Sequence, residues 1–253
     1  MKYHNFGSSE LKTSSLGLGM AALGRPGYIN LGHEADYQLG RSVALMQERA
    51  FTVLDTAWEK GVRYFDTARS YGRGEAFLGA WLQQRKIPPD QVLIGSKWGY
   101  TYTADWQVEA EVHEVKEHSR KRLEQQYPES KALLGEYLNI YHIHSATQES
   151  KVLQNTEVLG KLAELKAEGL LIGLSLSGPQ QSDTLGQALE VRVDGQRLFD
   201  SVQITWNLLE NSSSTPMAEA KSAGMGVIVK EALANGRLTE RNQAHLVFSG
   251  RLG

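Results

Sequence analysis

Residues 63–75 read RYFDTARSYGRGE: a carboxylate, Asp66, closes a short apolar run, and a phenol, Tyr71, follows in a glycine-containing loop. Further along, VLIGSK ends on Lys97 and NIYHIHS carries His142 and His144. Taken singly, these are a capping Asp, a half-buried Tyr and core histidines. Taken together, they have a coherent chemistry. Reduction of a C=O group builds negative charge on oxygen, which must then take a proton. A free tyrosine, with a pKa of ~10, is a reluctant donor, and a neighbouring ammonium favours its ionised form. Lys97 would supply that ammonium, and Asp66 would hold it charged and in place. His144 would donate a hydrogen bond to the carbonyl oxygen and orient it. Positioned acid catalysis of this kind contributes ~10²–10⁴ in rate.

These groups must be brought to one point. Short apolar, β-rich runs at 15–20, 64–66, 92–97, 139–144, 171–176, 201–205 and 226–229 read as strands. Amphipathic patterns at 49–60, 76–84, 108–126, 156–168, 182–190 and 216–223 read as helices between them. EKG, AEG and SAG each set a glycine where a helix C-terminus favours a left-handed residue, just before a strand. Such alternation predicts parallel strands with crossover helices, either a doubly wound open sheet or a (β/α) barrel. With no composition break or linker, one domain is expected over 1–253, opened by a small hairpin at 1–14 turning at Gly7. In a barrel, function gathers at the C-terminal ends of the strands. Asp66, Lys97 and His144 close the second, third and fourth. Neighbouring strands lie ~4.8 Å apart, so the three ends span roughly 10 Å, which Lys and Tyr side chains can bridge.

Two other chemistries compete. GLGMAA (17–22) matches a dinucleotide-binding turn, but LGRPGY follows, and no helix can start there to receive a pyrophosphate. His142 and His144 would point to one face of a strand and could ligate zinc, giving a metal-dependent hydrolase. A zinc site needs three or four ligands, however, and the other histidines fall away from strand mouths, so no metal is expected. The composition removes further classes. Cysteine is absent, which excludes disulfides and thiolate catalysis. Lys+Arg number 27 against Asp+Glu 29, so no basic face for nucleic acid is implied. No stretch approaches the ~20 apolar residues of a membrane helix, and the N-terminus lacks a signal-peptide core. A cytoplasmic protein acting on small molecules is expected.

FDTARSYGRGE, SKWGY and NIYHIHS together resemble the catalytic segments of the aldo/keto reductase family. LGLSLSG and SVQITWNLLE resemble its cofactor-amide strands, and GVIVKEALANGRL its phosphate loop. The N-terminal YHNFGSSELKTSSLGLGM is similar to its hairpin and first strand. The resemblance implies a (β/α)8 TIM-type barrel that reduces aldehydes and ketones with NADPH and without metal. It implies Tyr71 as acid, Lys97 and Asp66 as its tuning pair and His144 as orienter. For the cofactor it implies Ser175 and Gln203 at the nicotinamide carboxamide, Gly19 and Met20 beside the ring, and Lys230 and Leu233 in the phosphate segment. This sequence departs from the family at three positions. Leu176 replaces a common Asn, Lys230 stands where a stacking ring is usual, and Glu231 where a small hydroxyl residue is. Trp206 could supply the stacking.

Seven strands precede the final HLVFSGRLG, whereas the family has an eighth strand and further helices. The expectation is therefore a barrel lacking its eighth strand, with weak NADPH binding and open edges prone to self-association. A catalytically weak barrel acting as a binding or regulatory module is the alternative function. The loops at 21–43 and 98–106 are rich in Tyr and Trp and suit sugar-like or aromatic carbonyl substrates.

Overall fold

A computed structural model of the protein describes residues 1–27 and 40–240. Among these residues seven strands carry the fold: β1 Gly17–Gly19, β2 Tyr64–Asp66, β3 Leu93–Trp98, β4 Leu138–Ala146, β5 Leu171–Leu176, β6 Ser201–Thr205 and β7 Gly226–Lys230. Six helices alternate with them: α1 Val43–Glu59, α2 Gly74–Gln84, α3 Arg120–Leu134, α4 Thr156–Ala167, α5 Gln181–Glu190 and α6 Ser214–Ser222. The strands pair in chain order, each parallel to its neighbours. A doubly wound sheet would reverse its order at a switch point. None occurs among the described residues, and Gln203 on β6 donates a hydrogen bond to Asp66 on β2. Strands so far apart in the order can meet only if the sheet curls, as in a (β/α)8-type barrel. Among the described residues β1 and β7 are the two edges of this curl.

Two-residue alternation sorts the side chains by face. Phe65, Ile94, Tyr141, Ile143, Ile172, Leu174, Val202 and Ile204 point outward and merge with helix residues such as Leu54, Trp81, Leu162 and Leu185 in the main apolar core. The inward residues form layers instead. Tyr64, Leu93 and Ile140 make an apolar floor with Leu171 and Ile228, closed from below by Phe6, which stacks on Tyr64. Phe6 belongs to the N-terminal hairpin, whose strands Tyr3–Asn5 and Lys12–Ser14 pair antiparallel. Gly7 (φ +59°) turns this hairpin against β7, where a Cβ would lie 2.6 Å from the Gly226 nitrogen.

Above the floor sits a polar layer. The His142 ring reaches over Gly173 to bring its Nε2 3.1 Å from the Ser201 hydroxyl. Gly173 is required by crowding, since a Cβ there would lie 2.2 Å from Ser201 Oγ and 2.4 Å from the His142 ring. Burial withdraws the imidazole from water and lowers its pKa to about 4, with the Lys97 charge acting in the same direction and Asp66 against it.

Two helices differ clearly from their expected ranges: α1 starts at Val43, not at Arg49, with the Ser42 hydroxyl accepting from the Leu45 amide, and α3 starts late. Residues 108–126 read as a helix, but α3 begins only after Ser119, whose hydroxyl accepts from the Arg122 amide. The residues before it form an antiparallel ribbon instead, Tyr100–Tyr102 pairing with Glu114–Lys116. Val112 and Val115 lie in that charged stretch and are exposed, so neither supplies a core face for a helix. No helix among the described residues is long and apolar enough to cross a membrane.

Two tests follow from the interior layers. Gly173→Ala should lower unfolding free energy by about 1–3 kcal/mol through overpacking, read from urea midpoints. His142 stays neutral when folded to about pH 4 and takes a proton in the unfolded chain near pH ~6.5. Its stabilisation is therefore complete above pH ~6.5 and declines as pH falls toward 4, by at most ~1.4 kcal/mol per pH unit. A His142→Asn variant should show a shallower loss of urea stability between pH 7 and 4.5 than the parent chain.

Candidate active site

The loop after β2 owes its course to β3. Thr67 and Arg69 donate backbone hydrogen bonds to the carbonyls of Gly95 and Lys97 (2.9 and 3.0 Å), so the chain runs on beside β3 past the end of its own strand. Gly72, in the left-handed region at φ +58°, then turns it back. The outer side is fixed by Glu75, which is almost fully buried. It accepts from Ser96 Oγ at 2.6 Å and pairs with Arg69, which also pairs with Glu129 at 2.7 Å. The Asp, Thr, Arg, Tyr, Gly and Glu of the DTARSYGRGE stretch therefore each have a geometric task, and the result is Tyr71 held over Lys97.

Lys97 has no solvent exposure. Its ammonium donates to the Asp66 carboxylate, to the Thr67 carbonyl at 3.0 Å and to the Tyr71 hydroxyl at 3.3 Å. An ammonium has three protons, and each has an acceptor. Since the Tyr71 oxygen accepts from Lys97, its own proton is directed elsewhere. Both oxygens of Asp66 are engaged too, because the second accepts from Tyr64 at 3.1 Å and from Gln203 at 3.0 Å.

His144 ends its inward run at the rim. Its ring lies edge-on to Tyr71, with centroids 5.5 Å apart, and against Tyr100 at 4.8 Å. Burial holds its pKa well below 6.5, reinforced by the charges of Lys97, Lys230 and Arg25. The imidazole is thus neutral, with one N–H to donate. Nδ1 lies 3.4 Å from the Ser70 hydroxyl. The pair of histidines is divided between two tasks, His142 in the interior layer and His144 at the rim. No group of three or more His, Asp or Glu side chains that could hold a metal occurs among the described residues.

A cavity of about 850 Å³ opens over this constellation, lined among others by Asp66, Tyr71, His144, Ser175, Gln203 and Lys230. Gly19 also lines it, and space for a Cβ there is open. A smaller cavity of about 460 Å³ adjoins it beyond Lys230, lined by Ser177, Thr205 and Arg237. Lys230 Nζ donates to Thr205 Oγ1 at 2.8 Å and lies 3.3 Å from the Glu231 carboxylate, which offsets that acidic residue. Ser175, Gln203, Gly19 and Lys230 are therefore brought to one cavity. Met20 is not, being fully buried in the apolar core, with Ala21 lining the cavity instead. Leu233 is 59 % exposed and lines neither cavity. Trp206 donates to Ser214 at the start of α6 and does not line the cavities. Leu176 faces outward into the core, as alternation from Ser175 requires. Part of the 21–43 loop and the final HLVFSGRLG lie outside the described residues.

Several contributors escaped the sequence reading. Tyr64 shares a face with Asp66 by simple alternation, and that signal was available. Ser70 precedes Tyr71 directly. Arg25, almost fully buried, pairs with Glu114 at 3.1 Å and sets its guanidinium 5.8 Å from the Tyr71 ring. Only the folded ribbon brings Glu114 there.

Residues 15–248 match the Aldo/keto reductase family. A D-threo-aldose 1-dehydrogenase from Pseudomonas sp. is 26% identical over 254 residues, covering 93% of this chain and 72% of that protein. Versiconal hemiacetal acetate reductase from Aspergillus parasiticus is 24% identical, covering 94% and 69%. Among solved structures, a candidate aldo-keto reductase from Pseudomonas aeruginosa superposes with a TM-score of 0.69 at 26% identity, covering 92% of this chain and 79% of that one. The glycerol dehydrogenase of Gluconobacter oxydans shares the fold, with a TM-score of 0.65 at 20% identity over 94% of this chain and 65% of its own. With the match running from β1 past β7, over the strands that converge on the Tyr71 cavity, the chain belongs to the aldo/keto reductase family.

Proposed function

We propose that this oxidoreductase interconverts an aldehyde or ketone and its alcohol with NADP(H), Tyr71 exchanging the proton. The observation that carries the reading is the hydrogen bond from the buried, ion-paired Lys97 ammonium to the Tyr71 hydroxyl at 3.3 Å. The nicotinamide, when bound, supplies the hydride that adds to the carbonyl carbon. The residues for holding it are those of the large cavity: Ser175 and the Oε1 of Gln203 for the carboxamide, the open space beside Gly19 for the ring, and Lys230 for phosphate charge.

The protein's own task is the oxygen. As the C=O bond becomes C–O, charge grows on that atom, and the Tyr71 O–H gives up its proton to it. The phenolate left behind is stabilised by the Lys97 ammonium already donating to it. Asp66 keeps that ammonium fixed, so no reorganisation accompanies the transfer. His144, neutral by burial, donates its N–H to the same oxygen and sets its direction. Uncharged, it does not compete with Tyr71 as an acid. The run of the reaction in reverse uses the same groups, with Tyr71 as base. The names of the two curated relatives, an aldose dehydrogenase and a hemiacetal acetate reductase, favour a polyhydroxylated or hemiacetal-forming carbonyl compound as substrate.

Tyr71→Phe should reduce aldehyde-dependent NADPH oxidation by at least ~10²-fold, with NADPH affinity by tryptophan fluorescence unchanged. Parent-like turnover in this variant would remove Tyr71 from the mechanism. Parallel titrations with NADPH and NADH test the cofactor assignment, which a preference for NADH would overturn.

A further inference from the structure

His144 reaches the cavity from a distorted piece of chain. Its β4 pairing with β5 slips register between Ile143 and Ala146, and Ser145 has a left-handed backbone at φ +51°. The carbonyls at this point leave the regular ladder. Two side chains from one short segment take them up. His118 Nε2 lies 2.8 Å from the His144 carbonyl oxygen, and Lys116 Nζ lies 2.8 Å from that of Ser145.

The His118 site is built for its ring. A carbonyl only accepts, so the proton of the neutral imidazole is on Nε2. The other nitrogen, Nδ1, is buried without a partner, and burial lowers the pKa to about 4. The ring packs edge-on against Trp98 and Tyr100, at 5.6 and 6.2 Å. Gly99 (φ +101°) makes room for it, since a Cβ there would lie 2.3 Å from the His118 ring. The backbone around it is anchored on both sides. Glu117 N donates to the Gly99 carbonyl at 2.8 Å, and Ser119 next door caps α3.

We propose that His118, assisted by Lys116, is a positioning residue: it holds the strained end of β4 by its carbonyls and so fixes where the His144 imidazole meets the substrate oxygen. The proposal rests on the reading of His144 given above. His118 itself does not line the cavity and touches no reacting atom. Its effect passes through the backbone of the residue that does. Displacements of about 1 Å at such a position cost on the order of 10²-fold in rate.

The test uses His118→Phe, which keeps ring volume but removes the donor, and His118→Gln, which restores an N–H. The Phe variant is expected to lose roughly tenfold or more in kcat/KM for an aldehyde, with NADPH affinity unchanged, and the Gln variant to recover most of it. In a His144→Gln background the Phe substitution should cost nothing further, because the group it positions is gone. In NMR spectra the His144 ring resonance, assigned by its loss in His144→Gln, should shift in His118→Phe. Lys116→Met, on the exposed ribbon, should give a smaller loss with the same non-additivity and supports the test if His118→Phe does not fold. Additive losses in the double variant, or an unmoved His144 resonance, would overturn the proposal. If the parent chain reduces no carbonyl compound, the proposed function fails, while the resonance shift still decides whether His118 positions His144.

Discussion

An ammonium with no exposure to water is the constraint around which this barrel is arranged. Taking Lys97 out of solvent would be prohibitive without compensation, and truncating one partner of such a pair typically costs about 3–5 kcal/mol. The compensation is specific. Asp66 takes the charge, the Thr67 carbonyl and the Tyr71 hydroxyl take the other two protons, and Tyr64 and Gln203 hold the carboxylate. The backbone follows from this. β2 and β3 set Asp66 opposite Gly95, where the missing side chain leaves room for the Tyr64 hydroxyl. The loop after β2 must continue along β3 so that Thr67 and Tyr71 arrive at the same nitrogen.

The curled sheet divides its labour between its faces. Outward residues are almost uniformly aliphatic or aromatic and merge with the helices, and burial of that surface supplies the stabilisation. The inward face moves from apolar to polar along the strands. It begins with Tyr64, Leu93 and Ile140 over Phe6, passes through His142 and Ser201, and ends with Lys97, His144, Ser175 and Gln203. Buried polar atoms are tolerated there because neighbouring strands supply partners at strand spacing. Gly95 and Gly173 clear space for the two rings that cross between strands.

Much of this was legible in the sequence because strand alternation is rigid. β2, β5 and β6 run over the residues expected of them, and the ends of β2 and β4 deliver Asp66 and His144 to one cavity rim, with Lys97 of β3 buried between Asp66 and the Tyr71 hydroxyl. What escaped depends on contacts between segments distant in sequence. The 108–126 stretch looks helical by its charge pattern, yet its first part pairs with Tyr100–Tyr102, and only that pairing carries Glu114 to Arg25 and His118 to the end of β4. Met20 and Leu233 are adjacent in sequence to cavity residues but point elsewhere, into the core and into solvent. Chain adjacency does not determine direction in a turn, whereas it does in a strand.

The full engagement of Lys97 bears on which chemistry this pocket forgoes. A lysine beside a bound aldehyde is, in other settings, a nucleophile that condenses to an imine and traps the substrate covalently. That condensation needs a nitrogen lone pair and a free line of approach. Here the nitrogen is an ion-paired ammonium with every N–H bound, seated beneath the Tyr71 hydroxyl. The same three contacts that hold the Tyr71 hydroxyl in place therefore leave Lys97 no lone pair with which to capture an aldehyde as a Schiff base.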